Sequence, residues 1–147
     1  MHEELQFCTF TVDGLYLGIA VRQVQEVIRS LEMTAVPLAP ASVEGLINLR
    51  GQIVTAIDLR CRLGLSPRLP GQEPMHVVVR TDDGAVSFMV DEIDDVIEVT
   101  PDAFERVPET LNQEAGALVK GVYKLADRLL LVLDTTRAVN IEHAAAA

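Results

Sequence analysis

An internal repeat constrains the fold of this chain more than any other feature of its sequence. A glycine, a leucine and an aspartate recur with three and then eight residues between them, from Gly45 to Asp58 and again from Gly121 to Asp134. An apolar stretch precedes each aspartate, IVTAI in the first copy and LLLVL in the second. A chain of 147 residues with one motif written twice is expected to form two small, similar units around a shared interior.

A second match lies upstream of the first in both copies. The stretches DGLYLGIAVRQVQEVI and DDGAVSFMVDEIDDVI each contain a turn signal, a short strand and an apolar–x–acidic–Val–Ile ending at 24–28 and 93–97. Val24 thus corresponds to Ile93 in the upstream match, and Gly45 corresponds to Gly121 in the downstream match, where the copies lie farther apart. A seven-residue insertion within TPDAFERVPETLNQEAG accounts for the larger sequence separation of the copies in the downstream match.

Composition and alternation predict strands for most of the chain. Aromatic residues make up 4% and tryptophan is absent, so Val, Ile and Leu must fill the interior, and branched side chains suit a pleated sheet. Hairpins are expected around the turns at 13–14, 50–52, 82–84 and 126–127. Residues 24–29 fit either a helical turn or the start of a strand, whereas Asp58 and Asp134 are suited to cap short helices.

The predicted fold class is therefore all-β, with two barrels of about five strands each, because closure removes exposed sheet edges. A single domain is expected over 5–141. One barrel would span about 14–66 and the other about 75–135, with the strand at 5–12 pairing with the second. Residues 142–147, which end in HAAAA, are expected to be a disordered tail.

Charge and the absence of targeting signals exclude several classes of function. A net charge of −10 argues against a protein that binds the phosphate backbone of nucleic acids. The N-terminus has neither the basic region nor the apolar core of a secretory signal, and the longest apolar run, 129–133, is too short to span a bilayer. Cys8 and Cys61 form no disulfide framework. The chain is expected to be cytoplasmic, without direct membrane insertion.

The charge is distributed unevenly along the chain. Residues 82–109 contain ten acidic side chains against Arg106 alone, whereas residues 50–68 contain four arginines against Asp58 alone. Such asymmetry can steer protein partners, although a solvated surface has the same pattern.

No catalytic, metal-binding or cofactor-binding constellation is found in the sequence. Histidines 2, 76 and 143 are scattered, and no zinc spacing, phosphate-cradling loop or EF-hand pattern occurs. Cys61 lies between Arg60 and Arg62, which could lower the pKa of its thiol, so an enzyme that uses Cys61 is one hypothesis. A structural cysteine explains the same pattern, and we predict no catalytic residue, metal or cofactor.

Arg50 and Gly51 stand at the end of a predicted hairpin strand, within EGLINLRGQIVTAIDLR. Glycine supplies the unusual backbone angles that a tight turn needs. The matching place in the second copy is Ala126-Asp127, which has neither residue. Since a purely structural requirement would more often appear in both copies, the pattern favours a functional role for Arg50.

The stretch VEGLINLRGQIVTAIDLRCRLG resembles the signature hairpin and helix of the CheW family, the adaptor proteins of bacterial chemosensory arrays. The stretches VRQVQEVI, FMVDEIDDVIEV and LVKGVYKLADRLLLVLD resemble the other segments of that family in the same order, from about Leu5 to Ile141. The resemblance implies two intertwined SH3-like barrels. It also implies a non-catalytic adaptor that couples the cytoplasmic tips of chemoreceptors to the regulatory domain of a histidine autokinase.

The resemblance also assigns binding residues. The receptor-facing groove between the barrels would use Val21, Val24, Val27 and Ile93, with Glu26 and Arg50 as an acid–base pair beside it. Gly45 and Leu46 would face the kinase. Each apolar residue in these sets could instead be ordinary core. A small-ligand sensor that binds a metabolite in the inter-barrel cleft is the alternative function.

Overall fold

The computed structural model describes residues 5–29 and 32–141, and this part of the chain is mostly β with three short helices. The expected tail at 142–147 lies outside the described residues. The strands are β1 Gln6–Val12, β2 Leu15–Ala20, β3 Val24–Ile28, β4 Val43–Leu49, β5 Gln52–Asp58, β6 Met75–Thr81, β7 Gly84–Val90, β8 Glu92–Glu98, β9 Phe104–Glu105, β10 Val119–Lys124 and β11 Leu129–Leu133. The helices are α1 Leu59–Arg62, α2 Gln113–Leu118 and α3 Thr135–Val139.

The described strands form two sheets. The six-stranded sheet has the order β8-β1-β2-β11-β10-β9, and the five-stranded sheet has the order β3-β6-β7-β5-β4. Within the described residues, neither sheet pairs its first strand with its last. The sixth strand, β9, comes from the segment 100–116 that contains the insertion. The all-β prediction is confirmed, although the two expected sets of five strands are one set of six and one of five.

The two copies of the repeat exchange strands between these sheets. In the upstream match β1, β2 and β3 correspond to β6, β7 and β8, and in the downstream match β4 and β5 correspond to β10 and β11. Each sheet takes two strands from one copy and the remainder from the other. The expected division into 14–66 and 75–135 therefore does not follow the sheets: β2 lies with β8 to β11, and β6 and β7 lie with β3 to β5.

Equivalent hydrogen bonds occur at equivalent positions of the two copies. The Asp58 N–H donates to the Ser42 carbonyl at 2.8 Å, and the Asp134 N–H donates to the Leu118 carbonyl at 2.7 Å. Both aspartates cap a helix, as predicted, because their side chains accept N–H groups of the first turn. β5 pairs in parallel with β7, and β11 pairs in parallel with β2 in the equivalent register.

One apolar core joins the two sheets. Its fully buried members come from both, including Phe10, Val12, Leu17, Ile19, Ile57, Val77, Val79, Phe88 and Val90. Burying such side chains stabilises the fold by about 1.5–3 kcal/mol each relative to exposure. The two sheets therefore share one interior as well as exchanging strands. No helix in the described part of the chain is long and apolar enough to cross a membrane.

A part-buried ion pair fastens α1 to Asp91, the residue before β8. Arg60 is only 7% exposed, and its guanidinium donates to both oxygens of Asp91, at 2.9 and 2.6 Å, and to the Ser66 carbonyl at 2.9 Å. Burial alone would raise the pKa of Asp91, but the hydrogen bonds from Arg60 and from the Asp13 N–H outweigh it and hold that pKa below its usual range. Asp91 is therefore ionised at neutral pH and pairs with Arg60.

Candidate functional site

The predicted receptor residues Val24 and Val27 lie on β3, an edge strand of the five-stranded sheet. Val24 pairs with Val79 and Val27 pairs with Val77, so both valines lie on the face of β3 that adjoins the shared core. Val24 is half-buried against that core, whereas Val27 is 46% exposed. Val21, in the 3-10 turn Val21–Gln23 that precedes β3, is partly buried. The ambiguity at 24–29 is resolved as a strand after one turn of helix.

The second copy supplies the equivalent surface on β8, one of the two edge strands of the six-stranded sheet. Ile93, the repeat counterpart of Val24, pairs with Phe10 and packs against the same core. Val96, the counterpart of Val27, pairs with Cys8 and is 60% exposed. The sequence interpretation missed Val96, although the upstream repeat match points to it directly.

A groove lies between the end of β3 and the start of β8. Arg29, the residue after β3, lines a cavity of about 460 Å³ together with Met75 and with Ile93 at the start of β8. Val24 and Ile93 border one core cluster from its two sides. Val24 and Ile93 thus lie at the margins of one interior. The exposed side chains of Val27 and Val96 lie farther along the same faces of their strands.

Glu26 and Arg50 form the predicted acid–base pair. The Arg50 guanidinium donates to both carboxylate oxygens of Glu26, each at 2.6 Å. The hydrogen bond from Arg50 holds the pKa of Glu26 below its usual range, so the pair is charged at neutral pH. Glu26 pairs with Val78, which belongs to a second apolar cluster, separate from the shared core, on the other face of the five-stranded sheet. The pair therefore lies on the opposite face of β3 from Val24 and Val27.

The backbone at the hairpin tip aims Arg50 at β3. Arg50 and Gly51 form a two-residue turn with φ of 54° and 86°, a twist that matches tight hairpins. The Asn48 side chain accepts the Gly51 N–H at 2.9 Å and fixes the turn. Positive φ strains an arginine, which has a Cβ, whereas glycine adopts it freely.

The second hairpin also sends an arginine to its edge strand, which the sequence comparison of Arg50 with 126–127 did not predict. Arg128 lies 3.6 Å from Asp94 on β8 and stacks over the Tyr16 ring, 3.5 Å from its centroid. An arginine therefore spans from the hairpin tip to the edge strand in each sheet. Of these two arginines, Arg50 is the one that makes a short contact with both oxygens of a carboxylate.

The predicted kinase-facing residues lie on β4, the other edge of the five-stranded sheet. Gly45 is buried, and a Cβ at this position would lie 2.7 Å from the Thr34 carbonyl oxygen. Leu46 is partly buried and exchanges two backbone hydrogen bonds with Thr34, at 2.8 and 2.9 Å. The glycine is thus explained by the close approach of residues 33–34. Leu46 shares its face with Ile53, which is 62% exposed and which the sequence interpretation missed.

The residues considered for chemistry do not assemble. Burial and the charge of Asp58 raise the pKa of the Cys61 thiol, which is the reverse of what a thiolate nucleophile needs. The expected effect of Arg60 is absent because its guanidinium points to Asp91. His76 is buried against Ser87. Across residues 5–29 and 32–141, no group of three or more His, Cys, Asp or Glu side chains could hold a metal ion.

These observations define a class of protein: a β domain built from two strand-exchanged copies, whose edge strands expose apolar and charged side chains and hold no catalytic constellation among the described residues. The family model of the CheW-like domain matches residues 6–142, and the chain belongs to this family.

Individual relatives agree with this membership. The chain is 31% identical over 131 residues to the chemotaxis protein CheW of Helicobacter pylori, covering 89% of this chain and 79% of that protein. It is 32% identical over 133 residues to the chemotaxis protein CheW of Bacillus subtilis, covering 90% and 85%. The crystal structure of the scaffolding protein TtCheW from Thermoanaerobacter tengcongensis matches with a TM-score of 0.78 at 26% identity, covering 88% of each chain.

Family membership confirms the predicted resemblance, the SH3-like fold and the assignment to non-catalytic adaptors of chemotaxis signalling. None of these similarities favours a metabolite sensor.

Proposed function

We propose that this chain couples the cytoplasmic tips of methyl-accepting chemoreceptors to the regulatory domain of a histidine autokinase, in a cytoplasmic array beneath the membrane. The observation that carries the proposal is the pair of exposed valines, Val27 and Val96, on edge strands that border one shared core. Partly buried apolar anchors in a groove provide most of the affinity when a helix docks.

The receptor helix lays its apolar face along Val21, Val24 and Val27 on one side of the groove and Ile93 and Val96 on the other. Support comes from the half-buried state of Val24 and Ile93, which leaves part of each side chain available. The Glu26–Arg50 pair holds the β4–β5 hairpin against β3 from the opposite face. Its role is to orient the docking strand, since exposed ion pairs contribute little to stability.

The kinase regulatory domain docks on the β4–β5 face through Leu46 and Ile53. Ile53 is the most exposed large apolar residue of this hairpin, and Gly45 shapes the face by admitting residues 33–34. The resemblance implies that the kinase domain is similar to this chain, so the two would pack in a pseudo-symmetric way.

Arg50→Ala tests the receptor side. In reconstituted arrays of receptor, kinase and adaptor, this variant is expected to keep the melting temperature of the parent but to reduce receptor-dependent kinase stimulation to the level without adaptor. Arg106→Ala, which removes an exposed arginine outside the groove, is the matched control and should stimulate normally. Normal stimulation by folded Arg50→Ala would refute the role of the pair.

Two further variants separate the surfaces. Val27→Asp should abolish binding to a receptor-tip helical hairpin and retain binding to the kinase regulatory domain, because it places a charge in the apolar strip. Ile53→Asp should do the reverse. Loss of both interactions in either folded variant would contradict the assignment of two separate surfaces.

A further inference from the structure

The edge strands β3 and β8 occupy equivalent positions in the two copies but carry opposite charge. In the upstream match, 22–29 corresponds to 91–98. The first segment contains two arginines and one acid, Glu26, whose charge Arg50 neutralises. The second contains no base and five acids, namely Asp91, Glu92, Asp94, Asp95 and Glu98. The copies have kept their apolar residues and diverged in charge.

Three of these five acids have no ion pair within the described residues. Asp91 is held by Arg60, and Asp94 lies near Arg128. Glu92, Asp95 and Glu98 are exposed and have no cationic partner in the described part of the chain. This side of the groove is therefore a negative wall.

The β3 side is positive. Arg29 is exposed where it lines the groove. Arg80, on the neighbouring strand β6, donates from its guanidinium to the carbonyls of Arg22 and Val24, at 3.3 and 3.2 Å. These carbonyls are neutral, so the positive charge of Arg80 remains beside the first residues of β3. The cavity that Arg29 shares with residues 91–93 is also lined by Glu73, two residues before β6. The β3 side nevertheless keeps an excess of positive charge, because Arg29 and Arg80 outnumber this one carboxylate, and it faces the acids of β8 across one groove.

We propose that this groove takes a helix with basic residues on one flank and acidic residues on the other, and that the two charged walls fix the direction in which the helix lies. The inference rests on the proposed function, in which a helix docks here. Reversing a helix about the groove exchanges the walls that its two flanks face. In the favoured direction, the lysine-rich or arginine-rich flank lies against β8, and the acidic flank lies against β3.

The apolar strip cannot set this direction by itself. Val24 and Val27 on one side correspond to Ile93 and Val96 on the other, through the same register with β6 and β1. A leucine stripe therefore meets nearly the same surface in either direction. Charge is the property in which the two sides of the groove differ most. Opposite charges on the helix flanks and the facing walls favour one helix direction, and like charges disfavour the reverse direction.

Three synthetic helices of about five turns test the inference with the full chain. All carry the same leucine stripe. The first has lysines on one flank and glutamates on the other, the second exchanges these flanks, and the third has glutamine on both. A nitroxide on each N-terminus broadens nearby backbone amide signals, and Ile93 and Ile97 report on the two ends of β8.

The first two peptides are expected to broaden opposite ends of β8, and the glutamine peptide is expected to broaden both. If all three bind but the first two broaden the same end, or if the glutamine peptide is equally directional, charge does not set the direction and the inference is wrong. If none of the three binds, helix docking itself is wrong, which refutes the proposed function as well.

A charge-removal variant tests the wall directly. Glu92→Gln with Glu98→Gln should weaken the lysine–glutamate peptides by roughly three- to tenfold at low salt and make both ends of β8 broaden. The control, Glu109→Gln with Asp127→Asn, removes the same charge from exposed positions outside the groove and should keep both affinity and direction. If both variants bind the peptides equally more weakly than the parent chain, the net charge of the protein explains the loss of affinity and the inference is wrong.

Discussion

The hairpins β4–β5 and β10–β11 follow one plan up to their tips and differ there. Each contains a bulge next to a glycine and ends at an aspartate that caps a helix. The first turns through two residues, Arg50 and Gly51, with positive φ. The second turns through four residues, 125–128, closed by a hydrogen bond of 2.8 Å from the Leu125 N–H to the Arg128 carbonyl.

This difference determines how each tip arginine is used. The tight turn holds Arg50 so that it meets both oxygens of Glu26 at 2.6 Å. The wider loop lets Arg128 divide its contacts between the Tyr16 ring and Asp94. The two hairpins share the bulge and the helix-capping aspartate, whereas their tips differ: one makes a short bidentate contact with an edge strand and the other a longer, divided one. Substitutions at equivalent positions of the two copies should show which contacts stabilise both copies equally and which stabilise only one of them.

The largest asymmetry is expected at Arg60. Arg60→Ala should lower the free energy of unfolding by about 3–4 kcal/mol, because it leaves Asp91 and the Ser66 carbonyl without their buried partner. Thr136, the counterpart of Arg60 in the downstream match, is exposed, and Thr136→Ala should change stability by less than about 0.5 kcal/mol. Urea unfolding measures both changes in unfolding free energy. Similar changes in the two variants would show that the ion pair of Arg60 adds no stability beyond that of an exposed threonine at the equivalent position.

The repeat glycines should differ by less. Gly45→Ala drives a Cβ into the Thr34 carbonyl, which backbone hydrogen bonds hold in place, and should cost about 2–3 kcal/mol. Gly121→Ala meets the ring of Phe104, which is 52% exposed and can rotate away, and should cost about 1 kcal/mol. Urea unfolding of the two variants should rank them in this order, and the reverse order would contradict a rigid contact at Gly45.

A smaller effect is expected from His76, whose counterpart in the six-stranded sheet is Phe7. Burial and the charge of Arg68 lower the pKa of His76, so the unfolded chain binds a proton more readily than the folded one. Stability should be level above the unfolded pKa of about 6.5 and fall as pH drops below it, by at most about 1.4 kcal/mol per pH unit for one proton.

His76→Phe with Ser87→Ala removes this titration without stranding the serine that hydrogen-bonds His76. Its unfolding free energy should change less between pH 7.5 and 5.5 than that of the parent chain, as measured in urea at both pH values. An unchanged slope would assign the pH dependence to other groups.

The smallest effect is expected from Arg50→Gly. This change relieves the positive φ of Arg50 and removes the contact with Glu26, so the melting temperature should equal or exceed that of the parent by up to about 4 °C. Receptor-dependent kinase stimulation should nevertheless be lost. A fall in melting temperature of more than about 2 °C would show that the ion pair, rather than the turn, stabilises the first hairpin.

The sequence predicted individual elements better than their pairing. Alternation and capping residues predicted β4, β5 and the helix after Asp58, because these signals are local. The strand exchange was not predictable, because an alternating strand indicates only that one face is apolar. Since β1 and β6 have the same pattern, exchanging their partners leaves every local signal unchanged.

The candidate site was predictable to the extent that it follows the family pattern. Val27 and the contact between Glu26 and Arg50 were expected from the sequence, whereas Val96 and Ile53 became visible only through their exposure. The burial of Arg60 could not be anticipated, because arginine is normally exposed and its partner lies far along the chain, at Asp91. The opposed charges of β3 and β8 could be read from the sequence, but their meaning depended on finding both strands at one groove.

The strand exchange between the two copies also bears on how the chain emerges from the ribosome. When the chain has been synthesised as far as position 60, β3 still lacks β6, its neighbour in the sheet, and β5 lacks β7. A nascent first half therefore cannot complete a sheet and must wait, with its apolar faces unshielded, until Val90 has left the exit tunnel. Translation speed across that interval, and access of holding chaperones to it, then become determinants of yield that the finished molecule no longer reveals.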